Sequence, residues 1–411
     1  MITPFKNKRI VLGVTGSIAA YKAVELASKL SQAGALVDVI LTQSATKFVS
    51  PLTFQSVTGQ TAFTEADLWG SHGHVLHIGL AKNANLLVIA PGTANTISKL
   101  AYGMADNLLT VTALAARCPI IIAPAMDGGM YSHPATQINL ETLSQREITI
   151  LGPAEGHLAS GMTGIGRMVE PLEIMAQIRY AIARPGPLKN KKVVVTAGAT
   201  YEPIDPVRGI TNRSSGKQGF VLALAALDRG ADVTLISGPT HLPTPGGAER
   251  IDVSTAEEMK AATLEALPNS IALLMAAAVA DFRPVSPSPQ KVKKVESIPQ
   301  LSLEATPDIL DAVAKTKSTH GYPQVIVGFA AESQDLLRNA RKKLEEKQLD
   351  LIVANDISAQ DAGFAVDTNR VTIIDAGGGE EQLPLLTKYE VAQTVLERVL
   401  GLLDLSGTDQ Y

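Results

Sequence analysis

Short apolar runs with almost no polar interruption constrain this chain more than any other feature. Ile10 to Val14, Val37 to Leu41, Leu86 to Ala90, Ile120 to Ala123 and Ile148 to Leu151 are built mainly from valine, isoleucine, leucine and alanine. A strand with one wet face alternates polar and apolar residues, whereas a strand covered on both faces reads as a continuous apolar run. Helix-period stretches separate the runs. One follows the turn Thr15-Gly16-Ser17, continues through Leu30 and stops near Gly34. Strand, glycine-bearing turn and helix in alternation predict a parallel sheet with helices on both sides.

The rhythm breaks once. Arg184 to Lys192 brings two prolines, a glycine and a cluster of basic residues, and reads as a linker. The pattern then restarts with Val193 to Val195 and a helix from about Gly216 to Arg229. Val233 to Ile236, Leu273 to Ala276, Val325 to Val327, Leu351 to Ala354 and Val371 to Ile374 continue it. A chain of 411 residues also exceeds what one core usually organises. The expected fold is α/β: two tandem doubly wound, Rossmann-like domains with mainly parallel sheets, residues 1–183 and 193–411, joined by 184–192.

Bulk properties narrow the partners. A formal net charge of -4 supplies no field to hold nucleic acid or an anionic membrane, so phosphate binding has to be local. No apolar run is long enough to span a bilayer. Cys118 is the single cysteine, which excludes an intramolecular disulfide and fits a reducing compartment. The N-terminal residues enter a strand directly, without a signal-peptide pattern, so a cytoplasmic protein is expected.

In open parallel sheets ligands bind beyond the carboxyl ends of the strands. Gly13 to Ser17, Thr42 to Ser44, Ala90 to Thr96 and Ala123 to Met130 fall there. The first turn leads into a helix whose free N–H groups suit a phosphate, with Ser17 as a further donor. An ordinary strand–helix turn explains Gly16 and Ser17 equally well.

Taken as an ordered set, residues of the first half resemble the flavin-dependent cysteine decarboxylase family. The set is Gly16 to Lys22, His77-Ile78 with Leu80, Pro91 to Thr96, Gly103 to Leu108, Pro124-Ala125-Met126 and Gly166-Arg167-Met168, within residues 7 to 180. The resemblance implies flavin mononucleotide (FMN) held by Gly16, Ser17, Ser44, Thr93, Asn95, Asp106 and Asn107. It makes His77 the catalytic base, with His72 and His74 nearby, and places Met130 and Arg167 at the substrate. Asn95, Asp106 and Asn107 also suit plain loop and helix capping. Two departures stand out. Family members usually carry asparagine where this chain has Asp127, so the carboxylate there is either protonated or turned away from the substrate. The flap Glu155 to Arg167 lacks the cysteine that several relatives use in the last reduction, and Cys118 reads as core.

Residues 190 to about 400 resemble the phosphopantothenate–cysteine ligase domain. Thr196 to Gly219 is a long polar loop between strand and helix, and loops of that length usually carry function. Asn212, Ser214, Ser215 and Gly216 lead into a helix N-terminus, and the family match puts Asn212 at the acyl-nucleotide intermediate. Asp281 ends the run Ala276 to Asp281 and matches a nucleotide or magnesium contact. Lys291, followed by Lys293 and Lys294, matches the lysine at the reacting phosphate, although a charge run is commonly a solvated face. Phe329, Asn355 and Asp356 at strand ends and Lys343 in Arg341-Lys342-Lys343 complete the nucleotide set; a turn pair also explains Asn355-Asp356.

Together the halves resemble the bifunctional phosphopantothenoylcysteine decarboxylase and phosphopantothenate–cysteine ligase family of coenzyme A biosynthesis. The substrates implied are 4'-phosphopantothenate, L-cysteine and CTP, with FMN and Mg2+ as cofactors. A homo-oligomer is implied too, from trimeric flavin domains and dimeric ligase domains, up to a dodecamer. Two rival readings are an oxidative decarboxylase of peptidyl cysteine and a flavin-binding regulatory protein.

Overall fold

The computed structural model describes residues 4–69, 75–292, 300–332, 335–356 and 366–407. It divides into two compact units, Met1–Ala183 and Arg184–Tyr411.

The first unit runs β1 (Arg9–Val14), α1 (Ala20–Gln32), β2 (Leu36–Leu41), α2 (Pro51–Thr58), β3 (Ala62–Phe63), α3 (Leu76–Asn83), β4 (Leu86–Gly92), α4 (Ala94–Tyr102), α5 (Leu108–Ala115), β5 (Ile120–Pro124), α6 (Gly128–Tyr131), α7 (Pro134–Gln145), β6 (Thr149–Ile150), β7 (Ala154–His157), β8 (Thr163–Arg167) and α8 (Pro171–Ala183). Its sheet has the order β3-β2-β1-β4-β5-β6, and every pairing is parallel. Alternate residues of each strand serve opposite faces. Ile10, Leu12, Val14, Leu86 and Val88 share a core with α1 and α8, while Val11, Leu87 and Ile89 pack with α4, α5 and α7. That double burial is why the strands carry so few polar residues; Asp38 in β2 is buried but paired with Arg9 at 2.7 Å. The flap residues 155–167 fold as an antiparallel hairpin of β7 and β8.

The second unit runs β9 (Lys192–Ala197), β10 (Tyr201–Pro203), β11 (Gly209–Thr211), α9 (Lys217–Leu227), β12 (Asp232–Ser237), β13 (Ala248–Asp252), α10 (Ala256–Ala266), β14 (Ser270–Met275), β15 (Phe282–Pro284), β16 (Leu303–Ala305), α11 (Ile309–His320), β17 (Val325–Glu332), α12 (Leu336–Glu346), β18 (Leu351–Asp356), β19 (Thr368–Asn369), β20 (Val371–Asp375), β21 (Glu380–Gln382), β22 (Leu386–Thr387) and α13 (Lys388–Gly407). The sheet order is β13-β12-β9-β14-β17-β18-β20-β21. Its first six strands are parallel and repeat the order of the first unit; β20 and β21 close the edge antiparallel. Helices α10, α11 and α12 share one core face, and α13 lies on α9, where the Tyr389 hydroxyl donates to Asp228 at 2.6 Å.

The stretch expected to be a linker is packed instead. Leu188 is buried, its N–H donates to the Arg229 carbonyl at 2.8 Å, and Arg184 pairs with Asp232 at 2.5 Å. Prolines there shape an entry into β9, which starts at Lys192, rather than a free connection.

Candidate active sites

In each sheet the strand order reverses once, between β1 and β4 and between β9 and β14, and a ligand crevice is expected at such a point. A cavity lies there in both units.

The first, of about 530 Å³, is lined by Gly16 and Ser17 after β1, Ser44 after β2, Thr93 and Asn95 after β4, and Asp106, Asn107 and Met130. Thr15 ties two of these loops: its hydroxyl donates to the Pro91 carbonyl at 2.6 Å and accepts from Thr93 N–H at 3.1 Å. Helices α1 and α4 open here without a side-chain cap; in α1 the Ala20 and Lys22 N–H groups already donate to the Ser17 and Ala19 carbonyls, whereas the start of α4 can offer its first-turn N–H groups to an anion. Lys99 holds Asp106 at 2.7 Å, and this hydrogen bond keeps the Asp106 carboxyl below its usual range. Asn107 caps α5 in a reciprocal pair with Thr110, so its oxygen is already used.

Three expected residues, His77, Asp127 and Arg167, lie outside this lining. His77 is half-buried in the first turn of α3; His72 and His74 lie outside the described residues. Asp127 caps α6 by accepting from Gly129 N–H at 3.0 Å, and the Ser160 hydroxyl donates to it at 2.7 Å. Ser160 foremost, then Gly129, holds its pKa below the ordinary carboxylate value, and the same two partners turn the carboxylate to the flap. Arg167 pairs with Glu170 at 2.6 Å, and Lys22 meets the same carboxylate oxygen at 2.9 Å. Gly166 has φ +143 and a Cβ there would lie 2.2 Å from the Met126 carbonyl oxygen, so only glycine lets the flap approach this closely.

The second cavity, of about 690 Å³, gathers Asn212, Ser214, Ser215 and Gly216 with Asp281, Phe329, Lys343 and Asn355. Asn212 Nδ2 donates to the Val279 carbonyl at 2.9 Å, which joins the loop before α9 to the loop after β14. Helix α9 starts at Gly216 without a side-chain cap. Lys347, one turn beyond Lys343, also lines the cavity and bonds Asp308 at 2.6 Å, which raises the Lys347 pKa. Among the described residues no group of three His, Cys, Asp or Glu could hold a metal by itself. Magnesium at Asp281 would therefore need substrate phosphates to fill its shell.

Lys291 is exposed and outside this lining, and Lys293 and Lys294 lie outside the described residues. Its anchor is nonetheless defined. The buried carboxylate of Asp205 accepts from Val292 N–H at 3.1 Å, and from Val207 N–H, Arg208 N–H and the Arg208 guanidinium; Arg208 donates to the Val292 carbonyl at 2.6 Å. Asp356 ends β18, with its side chain outside what is described.

Comparison with known proteins settles the family. Residues 3–183 match the family model Flavoprotein, and residues 188–402 match the DNA/pantothenate metabolism flavoprotein C-terminal domain. The chain is 46% identical over 404 residues to the coenzyme A biosynthesis bifunctional protein CoaBC of Bacillus subtilis (strain 168), covering 98% of each. The chain belongs to the CoaBC family. CoaBC proteins of Escherichia coli (strain K12) and Mycobacterium bovis are each 41% identical, covering 96% of this chain and 97% of theirs. As a CoaBC protein the chain is a bifunctional enzyme of coenzyme A biosynthesis, with a flavoprotein decarboxylase domain and a ligase domain. The regulatory and peptide-modifying readings give no place to that second domain.

Sequence reasoning missed Glu65, Lys99, Lys217, Lys347, Asn369 and Lys388, which also line the two cavities. Lys347 carried a signal, four residues beyond Lys343 on one amphipathic helix face. Asn369 carried one as well, as the end of the run Phe364 to Asn369 in the ligase family pattern, but with no role attached. Among the described residues no helix is long and apolar enough to cross a membrane.

Proposed function

We propose that the second unit activates 4'-phosphopantothenate with CTP and joins it to L-cysteine, and that the first unit decarboxylates the product with FMN. The single observation behind this reading is that both switch-point cavities collect the chemistry the two reactions need.

A carboxylate must be activated before an amine can displace anything from it. Its oxygen attacks the α-phosphorus of CTP, pyrophosphate leaves, and an acyl-cytidylate forms. Anion attacking anion requires positive charge at that phosphorus. Lys343 and Lys347 line the cavity, the N–H groups at the start of α9 face it, and Lys291 is assigned to the reacting phosphate from its clamped anchor at Val292. Asn212 orients the acyl group, Phe329 and Asp356 serve the nucleotide, and Asp281 would hold Mg2+, which would offset the phosphate charge. The cysteine nitrogen then forms the C–N bond, CMP leaves with the electron pair of the broken C–O bond, and the amine proton passes to solvent.

Gly16, Ser17, Ser44, Thr93, Asn95, Asp106 and Asn107 would hold FMN. The fit rests on the close loop approach at Gly16 and on the uncapped start of α4, which favours a phosphate. When bound, the flavin supplies a hydride acceptor, which turns the thiol-bearing carbon into an electron sink for the departing carboxylate. His77 takes the thiol proton, while Met130 and Arg167 shape the substrate end. His77 stands outside its own chain's cavity, which supports a site completed across subunits of a homo-oligomer, with trimeric flavin domains and dimeric ligase domains. Asp127 holds the flap through Ser160 rather than the substrate carboxylate. A cytoplasmic setting follows from these substrates.

The test is nucleotide turnover. The purified chain with Mg2+ should release pyrophosphate from CTP when given phosphopantothenate, and CMP once cysteine is added. No CTP turnover with both substrates present would overturn the ligase assignment.

A further inference from the structure

Two acceptors in the ligase cavity have no donor among the described residues. Asn369 is only 4% exposed, and its Oδ1, like the Oδ1 of Asn355, is buried without a hydrogen-bond partner among the described residues; both residues line the cavity. The orientation of the Asn369 amide is fixed by its neighbours. The main-chain oxygen of Lys388 can only accept, so Gln218 turns Nε2 toward it, at 3.3 Å, and its Oε1 away. That Oε1 needs a donor, and Asn369 Nδ2 supplies it at 2.9 Å. Rotating the Asn369 amide would set oxygen against oxygen, so its Oδ1 stays turned away from Gln218. The pairing of β18 with β20 puts Asn355 opposite Val371, two residues beyond Asn369, and all three line the cavity. Buried carbonyl oxygens are rarely left unpaired, and a ligand is one reason for an exception.

We propose that Asn355 and Asn369 form the subsite for the amino group of the incoming amino acid, each Oδ1 accepting one of its N–H groups. The inference rests on the ligase reading of this cavity. Two carbonyl oxygens match a primary amine, because both N–H groups donate and the lone pair stays free for the acyl carbon. Lys217 and Lys388 line the cavity here too. Lys217 lies 2.7 Å from Asp367, and Lys388 donates to the main-chain oxygens of Val366 and Thr368. Positive charge at this end suits a molecule whose amine adjoins a carboxylate, and it disfavours the unreactive ammonium form. A nucleobase amine has no such anion beside it.

The test uses the full-length chain with Mg2+, CTP and phosphopantothenate, following pyrophosphate release and amide formation separately. Asn369→Leu removes the acceptor, and Asn369→Asp keeps an oxygen in its place. Asn369→Leu should raise the KM for cysteine at least about tenfold more than the KM for CTP, the scale of one lost hydrogen bond. Asn369→Asp should recover most of that loss. A raised KM for CTP with the cysteine KM unmoved would assign the acceptors to the base and overturn the proposal. Unchanged KM values for both would overturn it as well. Should Asn369→Leu not fold, Asn355→Ser gives the same comparison. A wild-type chain that releases no pyrophosphate would remove the ligase reading itself, and the subsite with it.

Discussion

A methyl group on Gly16 would sit 2.4 Å from the Cβ of Ser44. The turns after β1 and β2 therefore touch through a position that tolerates no side chain, and they form one wall of the cavity assigned to FMN. Gly16→Ala has to push the two turns apart, an overpacking cost of about 1–3 kcal/mol. Flavin content per purified chain should fall, while CTP-dependent pyrophosphate release in the second unit stays at the wild-type rate. Full flavin occupancy in this variant would remove Gly16 from the cofactor wall.

His77→Asn separates chemistry from binding. If His77 is the base, decarboxylation should drop by about 10²–10⁴-fold, the usual contribution of a positioned acid–base group, with the flavin still bound. Single-turnover carbon dioxide release on flavin-matched samples measures it, and a wild-type rate would mean another base.

Lys291→Gln addresses the ligase. Neutralising a charge that stabilises a phosphoryl transition state costs about 10²–10³ in rate. Pyrophosphate release should slow by that order, with little change in thermal stability, because Lys291 is exposed. Unimpaired release would confine Lys291 to the surface.

Asp205 should make the ligase unit acid-sensitive. Its carboxylate takes hydrogen bonds from Arg208 first, and from the Val207, Val292 and Arg208 main chain, and its pKa is strongly depressed. A depressed folded pKa contributes stability that is complete above the unfolded value of about 3.9 and is lost as pH falls toward the folded value. Asp205→Asn should lower the melting temperature near neutral pH, and the gap to wild type should narrow below about pH 4. A gap that stays constant with pH would show that the charge is not what holds the loop.

The strands were legible because burial on both faces leaves a pattern that few other structures produce, as in Leu86 to Ala90. Gly16, Ser17, Thr93 and Asn95 were legible for a related reason: residues just past parallel strands converge in space whatever their separation in sequence. Direction and side-chain aim were harder. The run from Val371 looks like the other strands, yet it enters antiparallel, because an apolar pattern carries no polarity. Asp127 read as a substrate contact by position, and only the Ser160 hydroxyl and the Gly129 N–H show where the carboxylate points. Lys388 was invisible, because the final helix brings it to the cavity from late in the chain.

Mass analysis of the product formed from phosphopantothenate, cysteine, CTP and Mg2+ by the flavin-loaded protein tests the whole account most directly. The two-site reading predicts 4'-phosphopantetheine, formed through phosphopantothenoylcysteine, with the reduction completed despite a flap without cysteine. Phosphopantothenoylcysteine accumulating as the end product would contradict it, because the cavity between Gly16, Ser44 and Asn95 would then support no decarboxylation.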